Sequence, residues 1–524
     1  MRRLWAVARH TFQEGTRSRL TVVVVGIMIA VIVLIPLRYG GVTSVKSVLD
    51  GKAPTKSPAD QVRTVLDYTL GLISITLSFL TVLLTCWIVC HDIERRSLFT
   101  TLAKPLARWQ YILGRWAGMC LIQAMLIGLC GLALYGMVHA VRYPYARAAG
   151  TLERELPGKL VRASVGHSQA DRAAVGPMLA ELNRSAPALR ATYDRWKPVR
   201  SKLDKLDRTV LSARARCRPA NISERVAEAA AKREKRLRDS GDYDRHVREF
   251  GEAQVVQSIR DYARGTLESA EGGGSLTWQF ADLPKPGELA AGESVQFRIK
   301  LSAVNAIQLE DLQRDIKVHN PATGEDLFLR MLAPVGAPAT VDIPASMITP
   351  DGTLEITFIN QPPANAIHPI HSSVNIPLNE VFLLYRVGPF TPNFLRGLLL
   401  MWVFQAFLAA VAVLASSWLS FPIACLWCAV LYLLGTIAPF FASDAMARAE
   451  GALTNVSEWL LRGVVAVMPD FAMTNPVPPL VAGVEIPWFH LLPTIGVFIV
   501  LWGGVALGIG AIIFTRRELA RVVA

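Results

Sequence analysis

Cys425-Leu-Trp-Cys428 has the two-residue spacing of a redox or metal-binding thiol pair, and His368-Pro-Ile-His371 has that of a zinc-binding histidine pair. Neither has supporting context. The cysteine pair lies inside an apolar run, where Cys packs as a small hydrophobe, and the histidine pair has no companions at ligand spacing, so it reads as a solvated turn. Of seven cysteines, six (Cys86, Cys90, Cys120, Cys130, Cys425 and Cys428) fall in apolar runs, while Cys217 stands alone in a polar stretch. That distribution gives no disulfide framework. No GxxxxGK[ST] phosphate loop occurs, since Gly158-Lys159 lacks both the spaced upstream glycine and the following hydroxyl residue. No Ser-His-Asp or Cys-His grouping carries catalytic context, so the chain is expected to hold no catalytic site, metal or cofactor. Its chemistry would have to be supplied by a partner.

The elements that would receive such a partner follow from composition. The chain has 524 residues, 52% hydrophobic and 19% charged, with a mean hydropathy of +0.33. This is too apolar for a soluble protein and too charged to lie in lipid throughout. Several apolar runs reach the roughly 20 residues needed to cross a bilayer as a helix. The net charge of +13 does not signal nucleic acid, because no basic patch interleaved with aromatics accompanies it. Basic residues instead cluster beside the apolar runs, as membrane orientation requires.

Met1 to Arg19 places Leu4, Ala8, Phe12 and Gly15 on one helical face, with Arg2, Arg3, Arg9, Arg17 and Arg19 around the rest. This suits an uncleaved helix in the headgroup plane with its apolar side in acyl chains. Six spans are expected: Leu20–Leu37, Tyr68–Cys90, Trp116–His139, Phe394–Ser417, Phe421–Phe441 and Leu491–Phe514. Gly114, Gly118, Gly128, Gly131 and Gly136 on or near the third allow close helix packing. Arg396, at a span end, is expected to snorkel. The spans hold almost no ionisable groups, which disfavours a proton-relay carrier.

Between the third and fourth spans lies a long insertion. Its first part, 141–271, has helical spacing in Leu203, Leu206, Val210 and in Val255, Val256, Ile259, Tyr262. Glu271-Gly-Gly-Gly-Ser275 reads as a flexible joint. From 275 to 392 the period becomes two, in Val295, Phe297, Ile299, Leu301 and in Leu354, Ile356, Phe358. The segments SLTWQF, DIKVHN, LFLRML, ATVDIP and EVFLLYRV add further strands, the pattern of a β-sandwich. A second polar loop, 442–490, contains Trp459–Met468, too short to span and so re-entrant or interfacial. The fold class is therefore an α-helical polytopic membrane protein of six transmembrane helices, with an extracytoplasmic insertion of helical plus β-sandwich segments. Six spans put both termini, the 91–115 loop and the 418–420 turn on one side. Arg95, Arg96, Lys104, Arg108, Arg115, Arg516, Arg517 and Arg521 make that side the cytoplasm.

Three stretches resemble the permease subunits of ABC-2 type ABC transporters, particularly the bacterial branch of copper-site maturation and gliding-type permeases. WAVARHTFQEGTRSRL is similar to their opening interfacial helix. The 91–118 stretch resembles their first cytoplasmic loop in Glu94, Leu102, Pro105, Arg108 and Ile112-Leu113-Gly114-Arg115. Val467-Met468-Pro469-Asp470-Phe471 and Phe514-Thr-Arg-Arg-Glu-Leu519 look like the approach to and exit from the last span. Arg96-Ser97 stands where the family usually has Gly-Thr, and Arg115 where it usually has Lys. The resemblance covers about the first 140 and last 130 residues.

The resemblance implies a permease working as a homodimer or heterodimer in the inner membrane, with ATP and Mg bound by a separate ABC ATPase subunit; composition adds the expectation of no nucleic-acid partner. With Arg96 and Lys104 also in the docking set, a short helix from about Asp92 to Ala103 would present Glu94, Arg95, Leu98 and Leu102 to a groove on that ATPase. Pro105 would close it and Arg108 would lie near the headgroups. Two other expectations stand beside this one: spans that merely anchor a binding or sensory module, and a mechanotransmission complex in which nothing crosses. In a bacterial protein the glycosylation patterns at Asn183, Asn221 and Asn455 carry no meaning.

Overall fold

The computed structural model describes residues 2–38, 58–94, 107–165, 169–289, 293–303, 312–333, 336, 338–361, 373–448 and 471–516. The chain divides into two compact units, one of 1–153, 192–213 and 389–524, the other of 154–191 and 214–388.

The first unit is helical. It contains α1 (Arg2–Arg17), α2 (Arg19–Arg38), α3 (Pro58–Glu94) and most of α4 (Arg108–Glu155). The helices α5 (Gly158–Val165), α6 (Gln169–Ser185) and α7 (Pro187–Thr209) follow, of which residues 192–209 of α7 belong here. Among the described residues four helical stretches are long and apolar enough to cross a membrane: Pro58–Glu94, Arg108–Glu155, Phe390–Ser416 and Trp488–Arg516. The apolar stretches Thr21–Ala30 and Phe421–Ile437 are shorter. The protein is thus a polytopic helical membrane protein. α4 does not stop at His139 but continues through Pro144 to Glu155. Its extension is braced by α7, where Arg142 pairs with Asp207 at 2.7 Å and Tyr145, Ala148 and Ala149 pack on Val199 and Leu203.

In the second unit, α8 (Ile222–Asp239), α9 (Asp242–Phe250) and α10 (Glu252–Glu268) close over Ala230, Tyr243, Val255, Ile259 and Ala263. Tyr262, placed with Val255 and Ile259 by spacing, points outward, 54% exposed. The strands are β1 (Ser212–Cys217), β2 (Ser269–Ala270), β3 (Ser275–Phe280), β4 (Ser294–Lys300), β5 (Ser302–Ala303) and β6 (Leu312–His319). β7 (Asp326–Ala333), β8 (Pro338–Pro344), β9 (Leu354–Ile359), β10 (Val374–Asn375) and β11 (Phe382–Pro389) complete them. Two four-stranded sheets, β1-β11-β4-β8 and β3-β9-β6-β7, share one apolar cluster around Trp278, Phe297, Ile316 and Phe358. Strict alternation makes this possible: every second residue of β3, β4 and β9 enters the cluster. A three-stranded sheet, β2-β10-β5, adjoins them.

The Glu271–Ser275 stretch is a hydrogen-bonded turn and not a flexible joint. Gly273 N–H donates to Asn360 O at 2.9 Å and Asn360 N–H to Gly274 O at 2.9 Å. The Asn360 side chain donates to the Ala270 and Glu271 carbonyls at 3.0 Å and accepts from Arg314 Nε at 2.9 Å. Glycine serves there because Gly273 has φ +87°, a left-handed conformation costly for other residues.

The remaining helices of the first unit are α11 (Phe390–Ser416), α12 (Phe421–Arg448), α13 (Val477–Val481), α14 (Trp488–Ile495), a π-helical segment Gly496–Gly503 and α15 (Gly504–Arg516). A buried polar chain pins α11 to α3: Thr81 Oγ1 donates to Gln405 Oε1 at 2.8 Å, and Gln405 Nε2 donates to Ser78 Oγ at 3.0 Å. Such bonds persist between spans because lipid offers no alternative partner. Arg396 does not snorkel. It reaches Glu485 at 2.7 Å and the Ile486 carbonyl at 3.1 Å, with its guanidinium over the Trp488 ring. A carboxylate within reach satisfies the charge better than a stretched exit to water.

Candidate functional site: a buried charge cluster flanking residues 95–106

Of the expected docking residues, Glu94 is the exposed last residue of α3 and Arg108 the first of α4. Arg95, Arg96, Leu98, Leu102, Lys104 and Pro105 lie outside the described residues, as do His368, His371 and Trp459–Met468. Arg108 does not lie free near headgroups. Its Nη1 donates to the Thr515 carbonyl at 2.8 Å and the Phe514 carbonyl at 3.4 Å, capping the end of α15. A cation at a helix C-terminus satisfies open carbonyls and the helix dipole together.

One turn along α4, Tyr111 stacks on Phe514 with ring centroids 5.6 Å apart, and its hydroxyl bonds the Asp92 carboxylate. The next turn carries Arg115. Its Nη1 reaches Glu14 of α1 at 2.8 Å and Thr11 Oγ1 at 3.2 Å, while Nη2 pairs with Asp92 of α3. The Arg115 side chain is only 5% exposed, against 25% for Glu14 and 14% for Asp92. A guanidinium this buried requires its acceptors: removing one partner of such a group costs roughly 3–5 kcal/mol.

Glycines set the approach that makes these bonds possible. A Cβ on Gly118 would stand 2.5 Å from Thr11 Cβ and 2.7 Å from the Ala8 carbonyl, and one on Gly114 would stand 2.7 Å from Val7. α1 therefore seats its Val7, Ala8, Thr11 and Gly15 face on α4, and that face is not in acyl chains. Its arginines at 2, 3, 9, 17 and 19 remain exposed. Gly131 performs the same service against Leu398 of α11, whereas Gly128 and Gly136 have nothing within 4 Å. Reciprocal indole bonds then fix α4 to α11, from Trp116 to the Ala406 carbonyl at 2.8 Å and from Trp402 to the Cys120 carbonyl at 2.9 Å.

The cluster thus joins α1, α3, α4 and α15 at the two points where the 95–106 segment leaves and re-enters the helices. Glu14, Asp92 and Tyr111 were not singled out by spacing. The available signal was a lone acid in an otherwise basic N-terminal helix, facing an arginine flanked by small residues. No group of three or more His, Cys, Asp or Glu suited to a metal occurs among the described residues.

A multi-pass helical membrane protein with a buried charge cluster joining the end of α3, the start of α4, α1 and α15 is the class defined by this arrangement. Residues 5–152 match the family model described as ABC-2 family transporter protein, so this part of the chain is similar to the membrane proteins of that family. The matched stretch holds α1 to α3 and nearly all of α4, including Glu14, Asp92, Arg108 and Arg115. No curated protein and no solved structure matches the chain.

Proposed function

We propose that the chain is the membrane permease of an ABC-2 type transporter that exports its substrate, driven by ATP and Mg held on a separate ABC ATPase subunit. The loop at 91–115 is the docking element, with Glu94, Arg95, Arg96, Leu98, Leu102, Lys104, Pro105 and Arg108 toward the ATPase. Six spans place both termini in the cytoplasm of a cell with an inner membrane. Residues 141–392 form an extracytoplasmic helical and β-sandwich insertion that receives or hands on the substrate, and two permeases assemble with two ATPases.

The observation carrying this reading is the Arg115 cluster. Both flanks of the loop are tied through one buried guanidinium and one helix cap to α1, α3, α4 and α15. A push on the loop is therefore delivered to four elements together, whereas an anchored binding module has no need of such a hub.

Purification of the full-length protein from native membranes in mild detergent tests the proposal. Recovery of a stoichiometric ABC ATPase whose hydrolysis depends on the permease supports it. Recovery of the permease alone, with ligand bound at 141–392, would favour the anchored module. ATPase association without substrate-stimulated hydrolysis would favour mechanotransmission.

A further inference from the structure

α1 carries a single acid, Glu14, and that acid is committed to the buried Arg115 at 2.8 Å. Its cations are not met in the same way. Arg2, Arg9 and Arg17 on α1 and Arg19 at the start of α2 are exposed, and none of the four makes an ion pair among the described residues. At about 3.6 residues per turn, Arg2, Arg9, Gln13 and Arg17 fall on the stripe opposite Val7, Ala8, Thr11 and Gly15, the residues seated against the other helices. The outward side of α1 is therefore a row of cations holding no carboxylate.

Two features set this row at the edge of the lipid. The apolar stretch of α2, Thr21–Ala30, begins directly after the last of these arginines and the leucine that follows it. At the other end, Trp5 is 59% exposed on α1 and Trp109 is 49% exposed at the start of α4. Indole rings left outside a protein core suit the membrane–water interface, where the ring lies among headgroups and its N–H meets water. The row lies between these two marks. Small residues hold it there: a Cβ on Gly114 would crowd Val7, one on Gly118 would crowd Thr11, and one on Gly15 would overlap Ile122.

We propose that the outward face of α1, with Arg2, Arg9, Arg17 and the adjoining Arg19, binds anionic phospholipid headgroups. Guanidinium N–H groups match phosphate oxygens in pairs, and each arginine close to an anionic leaflet adds a favourable increment that salt screens. A zwitterionic headgroup offers the same phosphate with a cation beside it, so selection between the two falls on net charge. Glu14 lies on the same helix, and lipid held by Arg9 and Arg17 therefore also steadies the acid that Arg115 needs.

The test is native mass spectrometry of the full-length protein in detergent, titrated with phosphatidylglycerol and, separately, with phosphatidylcholine. Wild type should bind phosphatidylglycerol roughly ten-fold more tightly, and the preference should shrink as salt is raised. A variant carrying Arg2→Gln, Arg9→Gln, Arg17→Gln and Arg19→Gln should lose most of that preference and keep the wild-type unfolding midpoint, because the four side chains are exposed. The matching set of four lysine substitutions keeps the charge and should retain the preference to within about three-fold. Equal affinity for the two lipids in wild type, or an undiminished preference in the glutamine variant, overturns the proposal. So does a glutamine variant that keeps its lipid preference but loses a co-purifying protein, which would make this face a protein contact.

Discussion

Arg115 of α4 reaches the Glu14 carboxylate of α1 at 2.8 Å while its other amino group holds Asp92 at the end of α3. One buried cation thereby joins an N-terminal helix to the end of α3 and the start of α4. Asp92 is 23 residues away in sequence and Glu14 is 101.

Arg115→Met should destabilise the protein by roughly 3–5 kcal/mol, because Glu14 and Asp92 are left near each other without their cation. Glu14→Gln should cost less, about 1–2 kcal/mol, since Gln still accepts a hydrogen bond and Asp92 still neutralises Arg115. Urea unfolding in detergent, read by tryptophan fluorescence, gives both values, and equal losses in the two variants would refute the arrangement.

Gly118→Val should lift α1 from α4, because the added Cβ meets Thr11 Cβ at 2.5 Å and the Ala8 backbone carbonyl at 2.7 Å. Gly128→Ala, with nothing within 4 Å, should be neutral. Limited proteolysis near Arg9 reports the difference: cleavage should accelerate in the first variant and stay at the wild-type rate in the second.

How far the sequence could be read varies with how local the determinants are. The apolar runs and the alternation in β3, β4 and β9 are local, and the structure has helices and strands there. β1 was missed because Ser-Ala-Arg-Ala-Arg-Cys lacks branched and aromatic residues, and it pairs only because β11 offers an edge. The Glu271–Ser275 turn looked like a linker because its anchor, Asn360, lies about ninety residues on. Arg115 was visible as one of the cytoplasmic-side charges and as a departure from lysine, not as a buried partner. Its role depends on acids from two other helices, which spacing along one helix cannot bring together.

Asn360→Ala should weaken the β-rich unit by roughly 2–3 kcal/mol, since it removes the acceptor of Arg314 Nε and the tie to the Glu271 turn. Hydrogen exchange of the full-length protein should show faster exchange in β3 and β6, with the helices of the other unit unchanged. Uniform loss across both units would contradict it.

Cys217 donates to the Ala281 carbonyl at 3.0 Å, and burial first, with Asp282 second, pushes its thiol up to about 11. The folded state favours the neutral thiol, so this contribution to stability is complete below the unfolded value and lost as pH rises through the folded one. Iodoacetamide should therefore label Cys217 slowly at pH 8 and faster toward pH 11, while protein unfolded in dodecyl sulfate labels readily at pH 8 to 9. Mass spectrometry of the Cys217 peptide reads the rates, and equal folded and unfolded labelling at pH 8 would contradict the burial.

The most direct test of the central claim is co-purification of the ATPase with full-length protein carrying Glu94→Lys and Arg95→Glu together. Because Glu94 is exposed and makes none of the bonds described for Arg115, the helical unit should remain folded, with an unchanged unfolding midpoint. The account predicts that the ATPase is lost from the purified complex and that transport falls with it. Unchanged co-purification together with unchanged transport would contradict docking at this loop.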